Sequence, residues 1–200
     1  MNRLLRASGR PPHPFAKQEH PDQLEMVRLA SRGLEDVPAL PDGYILRQLR
    51  DHEEGRYDDL FHLAFEDEDR FAETRGRALD GGFFVVEHTA SGQLVASCVA
   101  LRGSSSPRHP DAGQLGWLVT DPAHTHKGLG TIVCAAVTNR FVSEGYSRPF
   151  LGTEDVRIGA ISIYFRQGWR PYLYGSDMEP RWRNIMARLG CNCEPLFQQT

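Results

Sequence analysis

The sequence has no apolar run approaching the roughly 18 residues that a membrane-spanning helix requires. It has no cysteine framework either, because four cysteines in 200 residues fall well short of a disulfide-stapled scaffold. Nor does one sign of charge prevail. With 23 basic against 26 acidic residues the formal charge is −3, which gives no electrostatic case for nucleic acid or an anionic membrane. The opening MNRLLRASGR is basic but lacks an apolar h-region, so no secretory signal is expected. Glu19, Asp22 and Glu25 follow too soon to favour an organelle transit peptide. No internal repeat is visible. What remains is one globular domain with a full core, expected in a reducing, cytoplasmic setting.

The cysteines fit that reading. Cys98 and Cys134 fall within apolar runs and read as small core residues. Cys191 and Cys193 form a lone C-x-C with no second pair, so no metal site is expected.

Periodicity then divides the chain into a flexible arm and connector at 1–42, a domain at 43–190 and a tail at 191–200. Within the arm, Leu24 to Leu29 reads as an edge strand or an extended strap. Gly43 to Leu49 alternates as a first core strand, and Asp51 suits a helix N-cap with Glu53 and Glu54 behind it. Tyr57, Leu60, Phe61, Ala64 and Phe65 share one face of that helix. Phe71 to Leu79 predicts a second helix ended by Gly81-Gly82. Phe83 to His88 and Leu94 to Arg102 form a hairpin around Thr89–Gly92. Residues 103–113, GSSSPRHPDAG, read as a polar surface loop. Pro149 to Thr153 predicts a strand, Ile158 to Gln167 a helix closed by Gly168, and Trp169 to Tyr174 a late strand. Met178 to Leu189 predicts a final amphipathic helix.

Between these lies the most informative stretch, Gly116 to Arg140, GWLVTDPAHTHKGLGTIVCAAVTNR. A short apolar strand is broken by Asp121-Pro122. His126-Lys127-Gly128-Leu129-Gly130-Thr131 follows, and then a helical pattern through Ile132, Val133, Ala136, Val137 and Phe141. Two close glycines let successive N–H groups point into one concavity, with the positive end of a helix dipole behind them. That arrangement suits a phosphate or pyrophosphate. It is neither a dinucleotide fingerprint, whose third glycine the following residues do not supply, nor a P-loop, whose lysine follows its glycine.

Thr125-His126-Lys127-Gly128-Leu129-Gly130, after Thr120-Asp121-Pro122, resembles the acyl-CoA pyrophosphate loop of the GNAT superfamily of N-acyltransferases. Thr125 departs from the family's usual Gln or Arg. A second stretch adds to the likeness: in Arg157 to Trp169, Ala160, Tyr164, Gly168 and Trp169 hold family positions, while Arg157 replaces the usual Asn. The order of elements resembles the family fold over roughly residues 43 to 175. The resemblance implies an α/β (α+β) domain with a mixed, mostly antiparallel central sheet flanked by helices.

It further implies an acetyl-CoA-dependent N-acetyltransferase whose acceptor is a primary amine of a small molecule or peptide. Binding of the cosubstrate falls to Leu118, Val119, Thr120, His126, Lys127, Gly128, Leu129, Gly130, Thr131 and Arg157. Backbone N–H groups around Val119 and Thr120 would face the developing oxyanion. Tyr164 would hydrogen-bond or protonate the departing thiolate, its bland alternative being an amphipathic core residue. An attacking amine must first lose a proton, and its ordinary pKa is ~10.4. The base stays open. Gly152 stands where many family members place a strand glutamate; Glu154 is the first choice, with Asp155, Glu66, Asp67, Glu68 or no dedicated base as alternatives. Lys127, His124 and His126 divide between solvated loop residues and phosphate contacts. A homodimer is compatible with all of this. The rival class is an acyl-CoA-binding regulatory module with little turnover, supported by the departures at Thr125, Arg157 and Gly152.

Overall fold

The computed structural model describes residues 22–65, 70–191 and 196–197. One sheet of eight strands organises it, in the order β2-β3-β4-β5-β6-β1-β7-β8. The strands are β1 (Leu24–Val27), β2 (Tyr44–Gln48), β3 (Ala78–His88), β4 (Leu94–Leu101), β5 (Gln114–Thr120), β6 (Phe150–Thr153), β7 (Arg170–Leu173) and β8 (Leu196–Phe197). The helices are α1 (Glu54–Phe61), α2 (Phe71–Arg77), α3 (Leu129–Glu144), α4 (Ile158–Arg166) and α5 (Met178–Leu189). Pairing is antiparallel except at β5–β6 and β7–β8. The expected mixed, mostly antiparallel sheet with flanking helices is the one observed.

Burial explains the layers. LVASCVAL in β4 is buried at every position, as a central strand covered on both faces must be. On one face α3, α4 and α5 pack Val133, Val137, Phe141, Ile161 and Trp182 against it. Apolar residues surround α3 because other elements cover nearly all its sides, and Gly145, with a φ of 88°, ends it. On the other face α1 contributes Tyr57, Leu60 and Phe61. Cys98 and Cys134 are fully buried, and burial pushes both thiols up, which leaves them inert core residues.

Four expectations need correction. Leu24–Val27 is no edge strand: β1 lies inside the sheet, antiparallel to β6 and to β7. Its four residues are too few to show a period, so only the partners on either side reveal its place. Helix α1 starts two residues later than expected, with Glu53 at the N-cap, while Asp51 pairs with Arg75. Gly81-Gly82 does not end a helix. It lies within β3, at a register shift that lets Ala78 still pair with Leu101. Loop 103–113 is partly internal, with Ser106, His109 and Ala112 buried.

The cause of the last correction is Glu25. Neighbouring residues of a strand point to opposite faces, so Leu24 and Met26 join the α3–α5 core while Glu25 faces the loop. There its carboxylate accepts hydrogen bonds from Arg108 (3.0 and 2.6 Å) and from the buried His109 (2.9 Å). Burial alone would raise the Glu25 pKa, but bonds from His109, Arg108 and Ser106 outweigh it and hold the group at about 2. The chain after β1 is tied as firmly. Fully buried Arg28 donates to Gln167 O at 2.9 Å and to Glu35 at 2.5 Å, while Glu35 and Asn139 of α3 exchange two hydrogen bonds. The stretch expected as a C-terminal tail at 191–200 includes β8, paired in parallel with β7. Of the expected flexible arm, residues 1–21 lie outside the described residues.

Candidate active site

The site begins with a defect between β5 and β6. These strands share a single registered pair, Gln114 with Phe150, and then diverge. A bulge drives them apart: the β4–β5 register shifts between Ser97 and Val99, and Trp117 takes a left-handed φ of 55°. Asp121 N–H returns to Val95 O of β4 at 2.8 Å. Strand N–H groups alternate in direction, so the Thr120 N–H points the other way, into the opening. That is where an oxyanion donor was expected.

Beside it, the turn into α3 builds an anion cradle. Gly128 is left-handed, with a φ of 76°, and a Cβ placed on it would meet nothing within 4 Å. Ile132 N–H is the first to find a helical acceptor, Gly128 O at 3.1 Å. The amides of Leu129, Gly130 and Thr131 therefore have no helical acceptor, and no acidic residue stands in that first turn. Gly130 fits closely, since a Cβ there would lie 3.2 Å from both Ile163 and Thr120. This wedges the helix end between β5 and α4. The cradle opens on a cleft of about 610 Å³ lined by Leu118, Val119, Thr120, His126, Gly128 to Thr131 and Arg157. Nine of the ten residues expected to bind the cosubstrate thus lie together. Lys127 does not line that cleft; its Nζ lies 6.0 Å from the Tyr44 ring.

His124 and His126 both line the cleft. His124 is also tied to the sheet, with Nδ1 2.8 Å from the Tyr44 hydroxyl. Thr125 Oγ1 donates to Pro122 O at 3.1 Å, so it closes the turn on itself. Among the described residues no group of three or more His, Cys, Asp or Glu could hold a metal ion.

A second cavity of about 270 Å³ adjoins the first, and both are lined by Leu118, Arg157 and Ala160. Tyr164 and Glu154 belong to this one, with Gln23, Arg70, Glu73, Arg77 and Gln114. Burial pushes the Tyr164 hydroxyl well above its usual pKa of 10, so the phenol keeps its proton at neutral pH. That hydroxyl makes no hydrogen bond among the described residues. Both Glu154 oxygens accept from Arg157, at 3.1 and 3.3 Å, and the Arg157 guanidinium lies 4.7 Å from the Phe65 ring centre. Asp155 is set aside by Arg181, which donates to it at 2.6 and 3.1 Å. Glu66, Asp67 and Glu68 lie outside the described residues.

Sequence reasoning missed Gln23, Arg70, Arg77 and Gln114. None carries a local motif. The only hint was negative: a glycine, Gly152, where a strand residue would otherwise project into the cavity.

Comparison with known proteins agrees with this geometry. The family model described as Acetyltransferase (GNAT) family matches residues 46–169, more than half of the chain. No curated protein sequence matches. Among solved structures, a GCN5-related N-acetyltransferase from Sphaerobacter thermophilus is 17% identical, with a TM-score of 0.59 over 75% of this chain and 49% of that one. A second, from Kribbella flavida, is 18% identical with a TM-score of 0.52, covering 75% and 54%. A GNAT-family acetyltransferase from Colwellia psychrerythraea is 12% identical with a TM-score of 0.57, covering 78% and 55%. The chain thus spans about half the length of these three structures. With the family model covering both the glycine turn and the Tyr164 helix, the chain belongs to the GNAT acetyltransferase family.

Proposed function

We propose that this chain is an acetyl-CoA-dependent N-acetyltransferase that acetylates a primary amine by direct attack on the thioester. One observation carries the reading: the unpaired amides of Leu129, Gly130 and Thr131 line a cleft that adjoins the cavity containing Tyr164. Acetyl-CoA supplies the activated acyl group, its pyrophosphate held by those amides and by the dipole of α3. The amine enters through the second cavity. Its nitrogen forms the new C–N bond while the Thr120 N–H holds the carbonyl oxygen, and the C–S bond then breaks. Tyr164 gives its proton to the departing thiolate. The amine proton leaves to Glu154 or to water; as a base, Glu154 has to share its oxygens with Arg157.

That sharing favours the second reading, a module that binds acyl-CoA with little turnover. Thiol release separates the two. The assay uses purified chain, acetyl-CoA and a fixed set of primary amines: ethanolamine, lysine, glucosamine, spermidine and glycylglycine. Amine-dependent release of CoA, reduced in Tyr164→Phe, supports the transferase. Tight acetyl-CoA binding without release for any amine supports the module.

A further inference from the structure

We infer that Gln23, carried into the site by β1, is a positioning residue for the amine acceptor, its amide filling the side-chain space left open by Gly152. The inference rests on the transferase reading above and concerns the acceptor cavity alone. Gly152 pairs in antiparallel register with Glu25, so the two share a face of the sheet, and Gln23, two residues before Glu25, shares it too. A Cβ built on Gly152 would lie 2.5 Å from Gln23 Oε1 and 3.4 Å from Cδ. The three atoms nearest that Cβ all belong to Gln23, and Gly152 has no positive φ. The Gln23 amide therefore occupies the space that a side chain at this position would need.

Backbone and side chain are treated differently here. The Tyr174 hydroxyl donates to Gln23 O, and Arg181 Nη2 donates to Asp22 O at 2.8 Å. Arg181 is itself held by Asp155, so α5 and the end of β7 clamp the entry of β1. The Gln23 amide, by contrast, makes no hydrogen bond among the described residues, and it lines the cavity with Gly152, Glu154 and Tyr164. A clamped backbone with an unspent amide is suited to recognition. Its carbonyl oxygen accepts from an amine N–H, and its NH₂ donates to a neighbouring acceptor atom on the substrate. Being neutral, it orients the nitrogen without stabilising the ammonium form that cannot attack.

The test moves the amide from one strand to the other. With Gln23→Ala in place, the residue-23 Cβ at 3.9 Å is the one that remains of the three atoms nearest a Cβ at 152, which leaves room to begin a side chain there in Q23A/G152Q. For the amine of the set above that turns over fastest, Q23A should raise the amine KM about tenfold, the factor carried by one hydrogen bond, with acetyl-CoA KM within about twofold. Q23A/G152Q should recover most of that loss. An unchanged amine KM in Q23A, or a loss that the double variant leaves in place, overturns the inference. Should acetyl-CoA bind without any amine turning over, Gln23→Cys is treated with bromoacetyl-CoA. Displacement of bromide by the introduced thiol, absent when desulfo-CoA competes, keeps Gln23 beside the acyl group; a thiol left unmodified at that position removes it. A chain that binds no acetyl-CoA overturns the transferase reading and this inference together.

Discussion

The proposed pyrophosphate cradle comes from one contiguous stretch, Thr120 to Thr131, whereas the proposed acceptor cavity gathers Gln23, Arg77, Gln114 and Glu154 from four distant parts of the chain. On the proposed reading the first binds through backbone amides and needs a left-handed turn at Gly128 and a small residue at Gly130. The second binds through side chains and depends on β1 being threaded between β6 and β7. A backbone site leaves its mark in the spacing of glycines. A side-chain site assembled over such distances leaves almost none.

The sharpest way to break the comparison is Gly128→Glu. Glutamate adds negative charge to the cradle and takes a left-handed φ that only glycine adopts freely, so acetyl-CoA affinity should fall by at least about 100-fold in calorimetric titration. The fold should survive, because a side chain at 128 meets open space.

The opposite attack is Glu25→Ala, which leaves Arg108 and His109 without their carboxylate. Loss of one partner of a buried charged pair typically costs about 3–5 kcal/mol, read here by denaturant unfolding. Acetyl-CoA affinity should stay within about twofold while the amine KM rises, since Ser105 of the same loop lines the acceptor cavity. The pH dependence has a defined sign. The folded pKa of about 2 lies below the ordinary 4.5, so the contribution of Glu25 is fully present above 4.5 and is lost as pH falls toward 2. The stability gap between wild type and Glu25→Gln should therefore close over that window. Glu53, held at about 2 by Arg47 and the Arg50 N–H against its own burial, should give the same window from the other half of the sheet.

Tyr164→Phe comes next. It should lower kcat about 10- to 100-fold and leave acetyl-CoA affinity nearly unchanged, as steady-state thiol release would record. Glu154→Gln should have the smallest effect, a drop in kcat below about tenfold, because Arg157 already occupies both carboxylate oxygens. A larger loss would make Glu154 the base despite that pairing.

How much was legible in the sequence follows the same division. The turn from Thr120 to Thr131 and helix α5 could be read almost residue by residue, because local backbone chemistry and the apolar period both point there. Strand β3 was read short, since Gly81-Gly82 looks like a helix stop unless Ala78 is known to pair with Leu101. Strand β1 was read as peripheral, because LEMV alternates for too few residues and its strand partners lie 120 or more residues away. Loop 103–113 looked polar and therefore exposed. Its histidine and arginine in fact face a glutamate 83 and 84 residues earlier in the chain.

The central claim is that the amides opening α3 hold the cosubstrate. Hydrogen–deuterium exchange of the wild-type chain, with and without saturating acetyl-CoA, tests it at those groups. The account predicts slowed exchange over Gly128 to Thr131, with β1 and loop 103–113 unchanged. Acetyl-CoA binding that leaves Gly128 to Thr131 exchanging as before would contradict it.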